Sequence, residues 1–99
     1  MLRGARTILD IGVREGSVMK NIKKLGWRGL SFGVDIFLPN LLKNDVKREY
    51  DNLVCCDARY LPFREKGVDV VLMLEVLEHM NKDEAIKVLN YIEKVAKIG

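Results

Sequence analysis

Four short apolar runs along the 99 residues each deliver an acidic residue at or just past their end, at Asp10, Asp35, Asp57 and Glu75. The runs are Thr7 to Gly12, Leu30 to Ile36, Leu53 to Asp57 and Val68 to Leu74. Their β-branched, apolar character predicts strands, and the last two lack the alternation of a sheet with one wet face, as buried parallel strands do. In an open parallel sheet the carboxyl ends of the strands line the ligand crevice. The turn preference of Asp explains any one of these residues. Four in succession, spaced by 25, 22 and 18 residues, predict a rim of carboxylates along one edge of the sheet. Such a rim suits a ligand that carries hydroxyls and positive charge.

The segments between the runs read as helices. From Glu15, Val18, Ile22 and Leu25 recur at helical spacing while Lys20, Lys23 and Lys24 face outward, and Gly26 closes the segment. A second helix is expected near Pro39, over a segment with Leu41, Leu42 and Val46. Asn81 and Glu84 form a capping-box pattern ahead of a stripe at Ala85, Val88, Leu89, Ile92, Val95 and Ala96. Alternating strands and helices imply right-handed parallel crossovers with helices on both faces. Only ten residues separate Asp57 from Val68, fewer than a helical crossover usually needs. Extended, they reach about 33 Å, enough for a loop to join parallel strands. An antiparallel link satisfies the same spacing.

A hydrophobic content of 48% supports one core, and no repeat or Pro/Gly/Ser-rich linker divides residues 1–99, so a single domain is expected. The net charge of +3 is too small and too dispersed to indicate nucleic acid. Lys20, Lys23, Lys24, Lys43, Lys47 and Arg48 read as solvated helix faces rather than an RNA track, and Trp27, Tyr50 and Tyr60 make no evident stacking array. No apolar stretch approaches the roughly 20 residues of a membrane span, and Asp10 interrupts the only candidate signal core. Cytoplasmic residence without membrane contact is the expectation. Cys55 and Cys56 are neighbours, which suits reduced core thiols on opposite faces of a strand better than a disulfide or a metal knuckle.

Leu9-Asp10-Ile11-Gly12-Val13-Arg14-Glu15-Gly16 resembles the first motif of class I, Rossmann-like S-adenosylmethionine-dependent methyltransferases, Asp-x-Gly-x-Gly-x-Gly, with Arg14 in place of the middle glycine. Three further segments are similar to that family's motifs in order and spacing: Gly33-Val34-Asp35-Ile36, Cys56-Asp57-Ala58-Arg59-Tyr60-Leu61-Pro62-Phe63, and Val68 through Met80. The resemblance implies a three-layer open parallel sheet of about four strands, order 3-2-1-4, in a single S-adenosylmethionine-binding domain over 1–99 that is incomplete at its C-terminus. It implies cofactor contacts from Asp10, Gly12, Arg14, Gly16, Asp35, Ile36, Asp57, Ala58 and Glu75. Asp35 would take both ribose hydroxyls; Asp57 and the following amide would take the adenine. Arg14 must point away from the cofactor or meet its carboxylate.

Glu75, Glu78 and His79 also resemble a metal-binding segment of some family members, but the same residues serve as polar first-turn residues in members without metal, and no metal is expected. The family's sheet has seven strands. This chain is expected to supply the first four, which leaves the fourth at an open edge suited to self-association or to a completing partner. The implied function is methyl transfer from S-adenosylmethionine to an unidentified nucleophile, with catalytic residues unknown. A non-catalytic S-adenosylmethionine-binding or interaction module is the alternative, and a nicotinamide-dinucleotide-binding fragment the more distant one.

Overall fold

The computed structural model describes residues 4–62, 67–73, 81–84, 86–87, 90 and 96–98. Strands β1 (Thr7–Ile11), β2 (Leu30–Asp35), β3 (Asn52–Cys55), β4 (Val68–Leu72) and β5 (Ala96–Ile98) form one sheet. Their spatial order is 3-2-1-4-5, and every neighbouring pair is parallel. Helix α1 (Ser17–Lys24) returns the chain from β1 to β2; α2 (Leu38–Leu41) and α3 (Asn44–Glu49) return it from β2 to β3. The α/β, Rossmann-like order 3-2-1-4 therefore holds. The antiparallel link is excluded, because β4 runs parallel to β1 and, through β2, to β3; the described part of the connection carries a 3-10 turn at Ala58–Tyr60.

Strand alternation divides the core into two layers. Ile8 faces one side of β1, with Met19 and Ile22 of α1, Val46 of α3, and Trp27, Tyr50 and Val70. Leu9 and Ile11 face the other side, with Val34, Ala58, Leu61 and Val68. Residues of successive parity on a strand point to opposite faces, so Asp10 is carried toward the α1 and α3 side. Gly33 on β2 faces the same side: a Cβ there would stand 2.7 Å from both Val13 and Leu53 and 3.0 Å from Tyr50. A bare backbone at this point is what lets the Tyr50 ring lie against the sheet.

Several expectations are corrected. A fifth strand is present, with Val68 paired to Ala96 and Val70 to Ile98, so β4 is interior and the sheet edges are β3 and β5. Ala96 belongs to that strand rather than to the preceding helical stripe; three residues are too few for periodicity to separate strand from helix. The single second helix is two short ones, broken by the extended Lys43. Leu41 and Val46 are both buried, and a continuous helix would set them about 140° apart. The break brings both inward. Cys55 is exposed, because β3 is an edge strand, while Cys56 is half-buried and burial pushes its thiol up. Lys23 is half-buried rather than fully solvated: its ammonium donates to the backbone carbonyl of Glu49 at the end of α3. Among the described residues, no helix is long and apolar enough to cross a membrane.

Candidate functional site

The turn from β1 into α1 sets the geometry of the rim. Gly12, Arg14 and Gly16 all adopt left-handed backbone, with φ of 83°, 47° and 79°. The Gly12 N–H donates to the Val34 carbonyl at 2.7 Å and the Gly16 N–H to the Val13 carbonyl at 2.8 Å, which fixes the loop against β2 and starts α1 at Ser17. Arg14 holds a conformation in which a side chain costs about 1–2 kcal/mol, the physical reason that glycine suits this position. Its N–H reaches Asp35 Oδ2 at 3.4 Å.

Asp35 closes β2 and is buried, yet its carboxylate is well supplied with donors. The Phe37 N–H donates to Oδ1 at 2.9 Å, and Asn40 Nδ2 donates to Oδ2 at 3.1 Å. With the Arg14 amide these donors fix the orientation of the carboxylate at the end of β2. Asp10 is placed differently. It pairs with Gly33, two residues before Asp35 on the same face of the sheet, and is only 2% exposed; its Oδ2 accepts the Tyr50 hydroxyl. Burial, followed by the Asp10 charge, pushes the Tyr50 phenol well above the ordinary tyrosine range.

Asp57, beyond β3, caps the 3-10 turn. Its Oδ1 accepts the Arg59 N–H at 2.9 Å and Arg59 Nε at 3.1 Å; its Oδ2 accepts Nε at 3.2 Å and a terminal guanidinium nitrogen at 2.7 Å. These hydrogen bonds hold the Asp57 carboxyl below the ordinary carboxylate range and raise the guanidinium. The other terminal nitrogen of Arg59 lies 3.8 Å from Glu84 Oε2, and the guanidinium sits 5.6 Å from the centre of the Tyr60 ring. Glu84 is held in turn by a reciprocal cap: its N–H donates to Asn81 Oδ1 at 2.9 Å, and Asn81 Nδ2 to its Oε1 at 2.6 Å.

Between these elements lies a cavity of about 550 Å³. Of the residues expected at a cofactor site, Gly12, Arg14, Asp35, Ile36, Asp57 and Ala58 line it together. Asp10 lines a smaller adjoining recess of about 150 Å³, with Ser17 and Val18 at the start of α1. Gly16 is the buried first cap of α1. Glu75, Glu78 and His79 fall outside the described residues, as do Ala85, Val88, Leu89, Ile92 and Val95. Among the described residues no group of three His, Cys, Asp or Glu side chains is placed to hold a metal ion. Sequence reasoning missed Asn40, Lys43 and Glu84 as cavity residues and Tyr50 as the partner of Asp10. Asn40 follows Asp35 by five residues in the α2 turn, a local signal that could have been read. Tyr50 stands forty residues from Asp10, and no local pattern joins them.

A parallel sheet whose strand ends, glycine turn and carboxylates surround one crevice defines a Rossmann-like ligand-binding domain. Residues 9–99 match the methyltransferase domain family, and the chain belongs to it. An uncharacterized protein of Methanocaldococcus jannaschii is 39% identical over 90 residues, which is 91% of this chain and 36% of that protein. Among solved structures, a SAM-dependent methyltransferase from Archaeoglobus fulgidus superposes with a TM-score of 0.71 at 28% identity, over 97% of this chain and 42% of its own. The complex of the Haloferax volcanii Trm112 methyltransferase activator with its methyltransferase contains a similar fold, with a TM-score of 0.76 at 22% identity, over 93% of this chain and 40% of its own. The chain thus spans less than half the length of these relatives.

Proposed function

We propose that this chain binds S-adenosylmethionine in the 550 Å³ cavity and provides the cofactor side of a methyl transfer to an unidentified nucleophile. The observation that carries the reading is that Gly12, Arg14, Asp35, Ile36, Asp57 and Ala58, from three separate strand ends, line one space. Its volume lies within the roughly 300–1,000 Å³ of small-molecule sites, and its lining mixes apolar side chains with a few fixed polar groups. Asp35 has accepted three donors of the about four its oxygens can take, which leaves room for a hydroxyl. Gly12 permits close backbone approach, Ile36 offers an apolar wall, and Asp57 with the Ala58 backbone would take the adenine edge. Asp10 would act indirectly, by holding the β1 end in place through Tyr50. Gly16 would fix the start of α1.

The bound sulfonium would supply an electrophilic methyl group. The protein's contribution is then chiefly positioning, since an already nucleophilic acceptor needs little proton transfer. A completing partner or a second copy would provide the acceptor side, a reading supported by the sheet edges at β3 and β5, each with one neighbouring strand among the described residues, and by the Haloferax neighbour, which was solved with an activator. Calorimetry with S-adenosylmethionine, S-adenosylhomocysteine and NAD tests the proposal. Binding of the first two alone is expected. Binding of NAD alone would replace it with the dinucleotide reading, and binding of none would leave a scaffold without this ligand. A methyl-transfer assay across acceptor classes separates an enzyme from a binding module.

A further inference from the structure

The carboxylate of Asp57 is fully engaged by the protein itself. Three nitrogens of Arg59, one of them shared between both oxygens, fill the about four acceptor positions of the carboxylate. An amine donated by a ligand must therefore displace part of this pairing. The guanidinium has a second partner in reach: its other terminal nitrogen lies 3.8 Å from Glu84 Oε2, and Glu84 lines the same cavity with its side chain held by the Asn81 cap. The Asp57 and Arg59 side chains are 22% and 41% exposed, and Glu84 is 40% exposed, so the exchange replaces one partly solvated ion pair by another. Such pairs differ little in energy, which makes the exchange accessible to a ligand of ordinary affinity.

We infer that Arg59 is a specificity-determining latch, paired with Asp57 in this structure and drawn to Glu84 when an amine-bearing base occupies Asp57. The inference rests on the proposed S-adenosylmethionine site and names how its adenine end is selected. With Arg59 on Asp57, the site presents donors to an incoming base; with Arg59 drawn to Glu84, it presents an acceptor. A 6-amino purine gains from the second state. A 6-oxo purine, whose edge accepts at that position, does not.

The test is calorimetry of S-adenosylhomocysteine and its 6-oxo analogue, S-inosylhomocysteine, on the unmodified chain, Arg59→Met, Glu84→Gln and the double variant. Arg59→Met should tighten the amino ligand about two- to fivefold, the span that exposed ion pairs allow, and leave the oxo ligand unimproved. Glu84→Gln should weaken the amino ligand by a similar factor in the presence of Arg59 and have no effect in its absence. Equal or weaker binding of the amino ligand by Arg59→Met, or an effect of Glu84→Gln that persists in the double variant, would overturn the latch. Failure of the unmodified chain to bind either nucleoside would instead refute the underlying site.

Discussion

Asp10 and Asp57 occupy corresponding ends of β1 and β3 and look alike in sequence, yet the fold treats them as opposites. Asp10 is buried against the α1 and α3 layer and held by a side chain forty residues away. Asp57 stands at the cavity with part of its surface in water and is held by a residue two positions on. A carboxylate locked by a buried phenol fixes the architecture; one paired with a displaceable surface cation can respond to a ligand. Asp35 lies between these cases, buried like Asp10 but lining the cavity like Asp57. An acidic residue near a strand end is therefore not by itself part of the site: Asp10 pairs with Gly33, one pleat short of Asp35 on the same face, and that depth decides.

This contrast can be broken experimentally, and the largest effects belong on the Asp10 side. Tyr50→Phe removes the hydrogen bond to a buried carboxylate and should cost about 1–3 kcal/mol, read as a lower denaturant midpoint at unchanged slope. A change below about 0.5 kcal/mol would mean that the phenol is not what holds Asp10. Gly33→Ala places a methyl group 2.7 Å from Val13 and Leu53 and should cost about 1–3 kcal/mol by forcing the Tyr50 layer off the sheet. Arg14→Gly exchanges the strain of a left-handed arginine for the larger unfolded-state entropy of glycine. Each is worth about 1 kcal/mol, so little net change in stability is expected.

The smallest stability effect is expected at Arg59, where substitution should leave the unfolding midpoint in place and act on titration instead. The pairing depresses the folded-state pKa of Asp57, so its contribution is present above the ordinary aspartate value near 3.9 and is lost as pH falls through the lower folded value. In Arg59→Met the Asp57 carboxyl carbon, followed by NMR, should titrate closer to that ordinary value. An unmoved titration would show that the guanidinium is not the cause of the shift.

Much of the frame was legible because its signals are local. The four strands, the glycine turn and the Asn81–Glu84 cap follow from runs of a few residues, and the order 3-2-1-4 was implied by the family resemblance. What escaped was set by contacts between distant segments or by lengths too short to carry a period. The break at Lys43 follows from the need to bury both Leu41 and Val46, and β5 is only three residues long. The placement of Asp10 away from the main cavity follows from its pairing with Gly33, one pleat below Asp35, combined with the reach of Tyr50, and the acidic rim pattern conceals it. Arg59 was visible as the next residue but one to Asp57, but its pairing could be recognised only once the turn geometry was known.

Backbone amide shifts of the nitrogen-15-labelled chain during titration with S-adenosylhomocysteine test the central claim most directly. The account predicts saturable shifts at Gly12, Ile36 and Ala58, which come from the carboxyl ends of three strands, with Thr7 at the opposite end of β1 unmoved. Shifts confined to other surfaces, or none at saturating ligand, would contradict it.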